Sequence, residues 1–158
     1  MNWTKEQFSF HDTQRLLFKL SERVKAFKGL TGSEISEILS NAEKCTFEAG
    51  AVIVKEGNVG IHMYVIIAGA ARVTKLGREG KTELARLEPA DSFGEMALID
   101  QETRSATVTA ESACVLVRLS DQSINKVHAQ IGLKVCRNLA RLLSERLRTA
   151  DELLAWRL

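Results

Sequence analysis

Residues 93–110 read Phe93-Gly94-Glu95-Met96-Ala97-Leu98-Ile99-Asp100-Gln101-Glu102-Thr103-Arg104-Ser105-Ala106-Thr107-Val108-Thr109-Ala110. The run sets a Gly-Glu pair at the mouth of a short helix-prone segment. An arginine follows nine residues after the glutamate, where a β-like segment opens. A helix start presents unpaired N–H groups and the positive end of its dipole, so with a guanidinium beside it this corner suits a phosphate. A carboxylate next to that phosphate is unfavourable unless it serves another group, such as a ribose hydroxyl. The pattern points to a nucleotide carrying few charges.

Outward from this stretch the apolar pattern has the short period of strands. Downstream, Ser105 to Ala110 and Ala113 to Leu119 alternate. Upstream, Lys44 to Glu48, Ala51 to Lys55, Met63 to Ile67, Ala71 to Leu76 and Thr82 to Leu87 form short β-like runs. Gly50, Gly57, Gly60, Gly69, Gly77 and Gly80 punctuate them as turn residues do. Seven or eight strands at this spacing predict a mainly β fold, an antiparallel roll or sandwich.

Helices flank the roll. After a mixed segment containing Trp3, Phe8 and Phe10, Asp12 is a candidate N-cap for a helix from about Thr13 to Phe27. Gly29 ends it, and Thr31-Gly32-Ser33-Glu34 starts a second helix carrying Ile35, Ile38 and Leu39. Ser120-Asp121 caps a third, reaching about Gln130, and Gly132 marks a bend. A long helix follows from about Leu133 to Trp156, with Leu139, Leu142, Leu143, Leu147, Ala150 and Leu154 on one stripe. The expected organisation is an N-terminal helical segment (1–30), a roll (31–131) and a C-terminal lid or dimerisation helix (132–158).

Composition narrows the classes. With 45% apolar and 27% charged residues the chain has the make-up of a soluble globular domain, and 158 residues suffice for a real core. A net charge of +2 is too small for a general polyanion binder. Cys45, Cys114 and Cys136 are widely spaced with no metal-ligand pattern, which predicts reduced thiols in a cytoplasmic protein. His11, His62 and His128 lie far apart, with no carboxylate or cysteine at ligand spacing, so no metal is expected. No nucleophile–base pair stands out, and the chain is not expected to be an enzyme.

The order of elements resembles the cyclic nucleotide-binding domain family, whose members include bacterial catabolite activators and protein kinase A regulatory subunits. The resemblance runs from about Leu16 to Leu154. Its most specific part is the phosphate-binding cassette, matched by Phe93-Gly94-Glu95, Ala97-Leu98 and Arg104-Ser105-Ala106-Thr107-Val108. The upstream glycines match too, in Ala49-Gly50, Glu56-Gly57, Gly60 and Ile66-Ile67-Ala68-Gly69. The implied fold is a jelly-roll-like double-stranded β-helix, and the implied ligand is cyclic AMP or cyclic GMP, without metal.

That resemblance implies a division of labour. Arg104 bonds the exocyclic phosphate oxygens, N–H groups around Met96, Ala97 and Leu98 add to this, and Glu95 accepts from the ribose 2′-OH. Gly94 lets the backbone approach the sugar, and Ser105, followed by Ala106, offers a hydroxyl or N–H to the phosphate. Val73, Leu84 and Leu87 are candidates for contact with the ligand from the roll. A residue of the long helix is expected to cover the base, within the region of Arg148, Thr149, Asp151 and Glu152, with Thr149 as the candidate.

Three positions depart from the family pattern: Asn58 and Ile61 stand where acids are usual, and Thr103 stands where proline is common. Members selective for cyclic GMP often carry an arginine at the position of Ala85. Arg86 is one residue off and points to the opposite face, which favours cyclic AMP. Since the chain stops at Leu158, direct DNA binding is not expected, and Arg137, Arg141, Arg146, Arg148 and Arg157 read as a solvated face interleaved with acids. The expected function is a stand-alone sensor whose last helix shifts to regulate a protein partner, with a homodimer through that helix. The alternatives are a roll that binds no nucleotide and serves as a scaffold, or a fragment of a larger transcription regulator or channel.

Overall fold

The computed structural model describes residues 10–157; Trp3 and Phe8 lie outside them. Helix α1 spans Phe10–Arg23, so Asp12 sits inside the helix rather than at its cap. The single helix expected up to Phe27 divides at Val24, whose backbone is extended, and a 3-10 turn covers Lys25–Phe27. Val24, Ala26 and Phe27 are all wholly buried in the core beneath the helices. Helix α2, Gly32–Ser40, opens with a reciprocal capping box between Thr31 and Glu34.

Eight strands follow: β1 Glu43–Phe47, β2 Val52–Val54, β3 Met63–Ala68, β4 Ala71–Gly77, β5 Gly80–Leu87, β6 Ser92–Phe93, β7 Thr107–Ala110 and β8 Cys114–Leu119. They form two four-stranded sheets, ordered β1-β8-β3-β6 and β2-β7-β4-β5. Every paired neighbour is antiparallel. The expected mainly β roll with flanking helices is therefore the observed fold. Strand β6 went unread because two residues are too few to show alternation.

The uninterrupted apolar run of β3 follows from having a core on each side. Met63, Val65 and Ile67 face the helices, joined there by Val117 and Leu119 of β8. Tyr64 and Ile66 face the interior of the roll with Leu116, Val108 and Ala110. One sheet thus carries the helical layer on its outer surface and the packed interior of the roll on its inner one. Gly69 turns β3 into β4 at φ +86°, and a Cβ there would lie 2.3 Å from the Ala113 carbonyl oxygen. No other residue fits that turn.

Helix α3 covers only Asp121–Asn125, and α4 runs from Ala129 to Ala155. Gly132, expected to mark a bend, lies inside the first turn of α4. A Cβ there would lie 3.8 Å from the Ile124 carbonyl oxygen, an ordinary contact, so α4 packs beside α3 without needing the glycine. Two carboxylates hold this end of α4 to α2: Glu34 accepts from Lys134 Nζ at 2.6 Å, and Glu37 accepts from the His128 backbone N–H at 2.9 Å. Ile131, Val135, Asn138, Leu139 and Leu142 are buried, whereas every described residue after Leu142 is exposed. Buried Asn138 donates to the carbonyls of Ala26 at 3.0 Å and Lys28 at 2.8 Å, fastening α4 to the 3-10 turn. Among the described residues no helix is long and apolar enough to cross a membrane.

Asn138→Ala leaves two carbonyls beneath α4 without their donors and is expected to cost about 1–3 kcal/mol in a urea titration. The acid side of the stability curve tests the α2 links. Hydrogen bonds from Lys134 to Glu34 and from the His128 backbone to Glu37 hold both carboxyls below the ordinary value of 4.5. Such groups stabilise the fold above their unfolded pKa and lose that contribution as pH falls through the lower folded one. The Glu34→Gln/Glu37→Gln variant should therefore be less stable than the parent at neutral pH. The difference should close as pH falls below 4.5.

Candidate functional site

Strand β6 brings the cassette to the roll by pairing Phe93 with Tyr64 and Ser92 with Val65. The Phe93 and Tyr64 rings stack with centroids 5.0 Å apart. Gly94 then takes a left-handed conformation, φ 76°, and turns the chain into Glu95–Leu98. This segment is a single 3-10 turn rather than an α-helix. It closes with both Ile99 and Asp100 donating to the Met96 carbonyl, so any phosphate-binding N–H acts locally without a helix dipole of appreciable length. The Glu95 carboxylate is oriented by the Ser92 hydroxyl, which donates to Oε1 at 2.7 Å.

The backbone of Arg104 is held by the loop after β2. Arg104 N–H donates to the Asn58 carbonyl at 2.8 Å, and its own carbonyl accepts from Gly57 at 2.9 Å. Gly60 donates to Glu102 at 3.2 Å, and Val59 forms a bridge with Thr103. Asn58 and Thr103 thus do their work through main-chain groups, which their side chains leave untouched. Ile61 enters none of these bonds and is half exposed at the loop's edge.

The Arg104 side chain folds inward. Its Nη2 donates to the His62 carbonyl at 2.6 Å, and the guanidinium carbon lies 5.9 Å from the Tyr64 ring centroid. A Cβ on Gly60 would come within 2.1 Å of Arg104 Nε, and one on Gly94 within 2.3 Å of Nη1. Both glycines therefore make room for the guanidinium. Gly94, expected to admit the sugar, first admits Arg104. Burial pushes the Arg104 pKa below its usual value, opposed by Tyr64 and Glu95. Among the described residues Arg104 has no ion-pair partner.

A cavity of about 320 Å³ adjoins it. Of the expected site residues, Gly94, Glu95, Met96, Ala97, Arg104, Ser105 and Ala106 line it together. Leu98 does not; it packs against the helical core. Thr149 does not either, its hydroxyl donating to the Glu145 carbonyl at 3.1 Å on the exposed part of α4. Val73 and Leu87 pack inside the roll and Leu84 is exposed, so none of the three reaches the cavity. Sequence reasoning missed Val54, Asp100, Glu102 and above all Arg146, the residue of α4 that lines the space. A signal for Arg146 existed. It continues the buried face of α4, four residues after Leu142 and seven after Leu139. Arg86 points elsewhere, paired with Glu88 and, at 2.9 Å, with Glu111. Among the described residues no group of side chains is arranged to hold a metal ion.

Comparison with known proteins places the chain in a family. The sequence pattern of the cyclic nucleotide-binding domain matches residues 44–130. A cyclic AMP receptor protein of Thermus thermophilus is 35% identical over 79% of this chain and 58% of its own length. A cGMP-dependent protein kinase of Toxoplasma gondii is 32% identical over 87% of this chain and 14% of its own. The crystal structure of the Thermus thermophilus catabolite activator protein superposes with a TM-score of 0.73 at 32% identity, covering 83% of this chain and 62% of that one. The chain spans little more than half of the first relative and a small part of the second. On the extent of these matches, this chain belongs to the cyclic nucleotide-binding domain family.

Proposed function

We propose that the chain is a cytoplasmic cyclic nucleotide sensor that binds its ligand without transforming it and reports occupancy through α4. The observation that carries this reading is Arg104, a half-buried cation with no ion-pair partner among the described residues, at the edge of a cavity of about 320 Å³. Withdrawing a charge from water is unfavourable unless an opposite charge meets it, and a cyclic phosphate supplies one negative charge. The ligand draws the guanidinium from the His62 carbonyl to the exocyclic oxygens, assisted by Ser105. Glu95, already oriented by Ser92, accepts from the ribose 2′-OH.

Cyclic AMP is the preferred ligand. Arg86, the nearest substitute for the arginine of cyclic GMP-selective relatives, is engaged with Glu88 and Glu111. The roll (31–131) holds the nucleotide, the segment 1–30 braces it, and the helix from 132 to 158 responds. Arg146 gives that helix its contact with the cavity. Beyond Leu142, the exposed Leu143, Leu147 and Leu154 recur at helical spacing, an unpartnered apolar stripe. A second copy of the chain covers it as a parallel helix pair, and the state of this pair is what a regulated protein partner reads.

Calorimetric titration with cyclic AMP and cyclic GMP is expected to give saturable heat with both, tighter for cyclic AMP. Arg104→Ala should lose about 2–5 kcal/mol of binding free energy, as when one member of a buried charge pair is removed. Absence of heat with either nucleotide would leave the roll as a scaffold only. Sedimentation equilibrium tests the stripe: Leu147→Asp/Leu154→Asp should convert a dimer to a monomer without moving the unfolding temperature of the roll. A parent chain that is monomeric at every concentration would refute the helix pair.

A further inference from the structure

The nucleotide cavity ends at Arg104, and a second cavity, of about 390 Å³, begins on the other side of the same guanidinium. It opens between β2 and the loop from Lys55 to His62. The wall between the two spaces is the guanidinium over the Tyr64 ring and the stack of Tyr64 on Phe93. Phe93 faces the first space, Tyr64 the second, and Arg104 and Val54 both.

The two linings differ in charge. Glu95, Asp100 and Glu102 face the first cavity, whereas no carboxylate lines the second, whose charged groups are Lys55 and Arg104. Neither Asn58 nor Ile61 brings the acid expected at its position, and this is why the second lining is free of negative charge. Its rim is apolar. Val52, Val59 and Ile61 are 53%, 67% and 45% exposed, and the bonds that hold Arg104 use none of their side chains. A concave space lined by two cations, one of them the half-buried Arg104, with apolar side chains on its rim has the make-up of a small-molecule site.

We propose that this second cavity binds an organic monoanion with an apolar body. The anionic head sits between Lys55 and the far side of Arg104, and the body lies on Val52, Val59 and Ile61. The space is within the range of drug-sized ligands, which fits a ring system or short acyl chain rather than a folded partner. A guanidinium is one rigid planar fork, and Nη2 of Arg104 is already committed to the His62 carbonyl. A nucleotide that draws this fork toward the first cavity takes it away from a head group in the second. The monoanion and the nucleotide therefore compete although their cavities are distinct, and this competition, unlike the second site itself, rests on the nucleotide reading above.

Anilinonaphthalene sulfonate, a sulfonate on an aromatic body, is the probe. Added to the full chain it should give a saturable, single-site rise in fluorescence. Val59→Asp/Ile61→Asp, both at exposed positions, should weaken it about tenfold or more by placing like charge at the mouth. The same variant should keep the parent's unfolding temperature. Leu147→Asp/Leu154→Asp should leave the probe's affinity unchanged, and saturating cyclic AMP should weaken it. Non-saturating fluorescence, or indifference to Val59→Asp/Ile61→Asp, would overturn the site. Undiminished probe affinity in the presence of bound cyclic AMP would overturn the sharing of Arg104. Should cyclic AMP give no heat while the probe behaves as stated, the nucleotide reading fails and the second cavity stands.

Discussion

The structure around the cassette is organised by the need to keep one arginine partly out of water without a carboxylate beside it. Arg104 is steadied by a carbonyl at 2.6 Å and by the face of an aromatic ring, both weaker than an ion pair. Each neighbour follows from that arrangement. Gly60 and Gly94 lack side chains where the guanidinium lies. Phe93 braces the ring on which it rests, and the loop from Gly57 to Gly60 clamps its main chain. A glutamate in direct contact would satisfy the cation and leave nothing for a ligand to gain. Glu95 is instead tied to Ser92 and acts on Arg104 only through space. The site is poised because its charge is tolerated rather than neutralised.

This explains what the sequence revealed. Residues 93–106 are contiguous, and their conformational needs are written in residue types: a glycine at a left-handed position, small residues along a tight turn, and an arginine at a set distance. The strands of the roll were legible for a related reason. β3 is apolar throughout because helices cover one face and the roll's interior the other, and Gly69 marks a turn where a side chain would run into a carbonyl.

What escaped the sequence depends on how distant elements meet. The 3-10 turn after the split at Val24 meets α4, where Asn138 holds the carbonyls of Ala26 and Lys28 from more than a hundred residues away. The start of α4 was placed late because Gly132 reads as a breaker, whereas here it continues the first turn of the helix beside Ile124. The search for the helix residue at the cavity fell on residues 148–152, beyond the point where α4 leaves the body. Periodicity from Leu139 and Leu142 leads to Arg146 once the buried face is known.

The same helix shows why binding and response can be linked in so small a domain. Its first half is fixed by buried contacts, by Asn138, and by the carboxylates of Glu34 and Glu37. Its second half, exposed from Leu143 onward, has little of the body to hold it beyond the Lys25–Glu145 pair at 3.4 Å. An exposed pair of that kind contributes roughly 0–1 kcal/mol, less than a ligand's charge-assisted contacts can supply. Arg146 lies where the firm half gives way to the loose one, and it lines the cavity beside Arg104. Under the proposed sensor reading, a change at the cavity acts on the helix at the point where resistance to movement is least, and the exposed leucines beyond carry it onward.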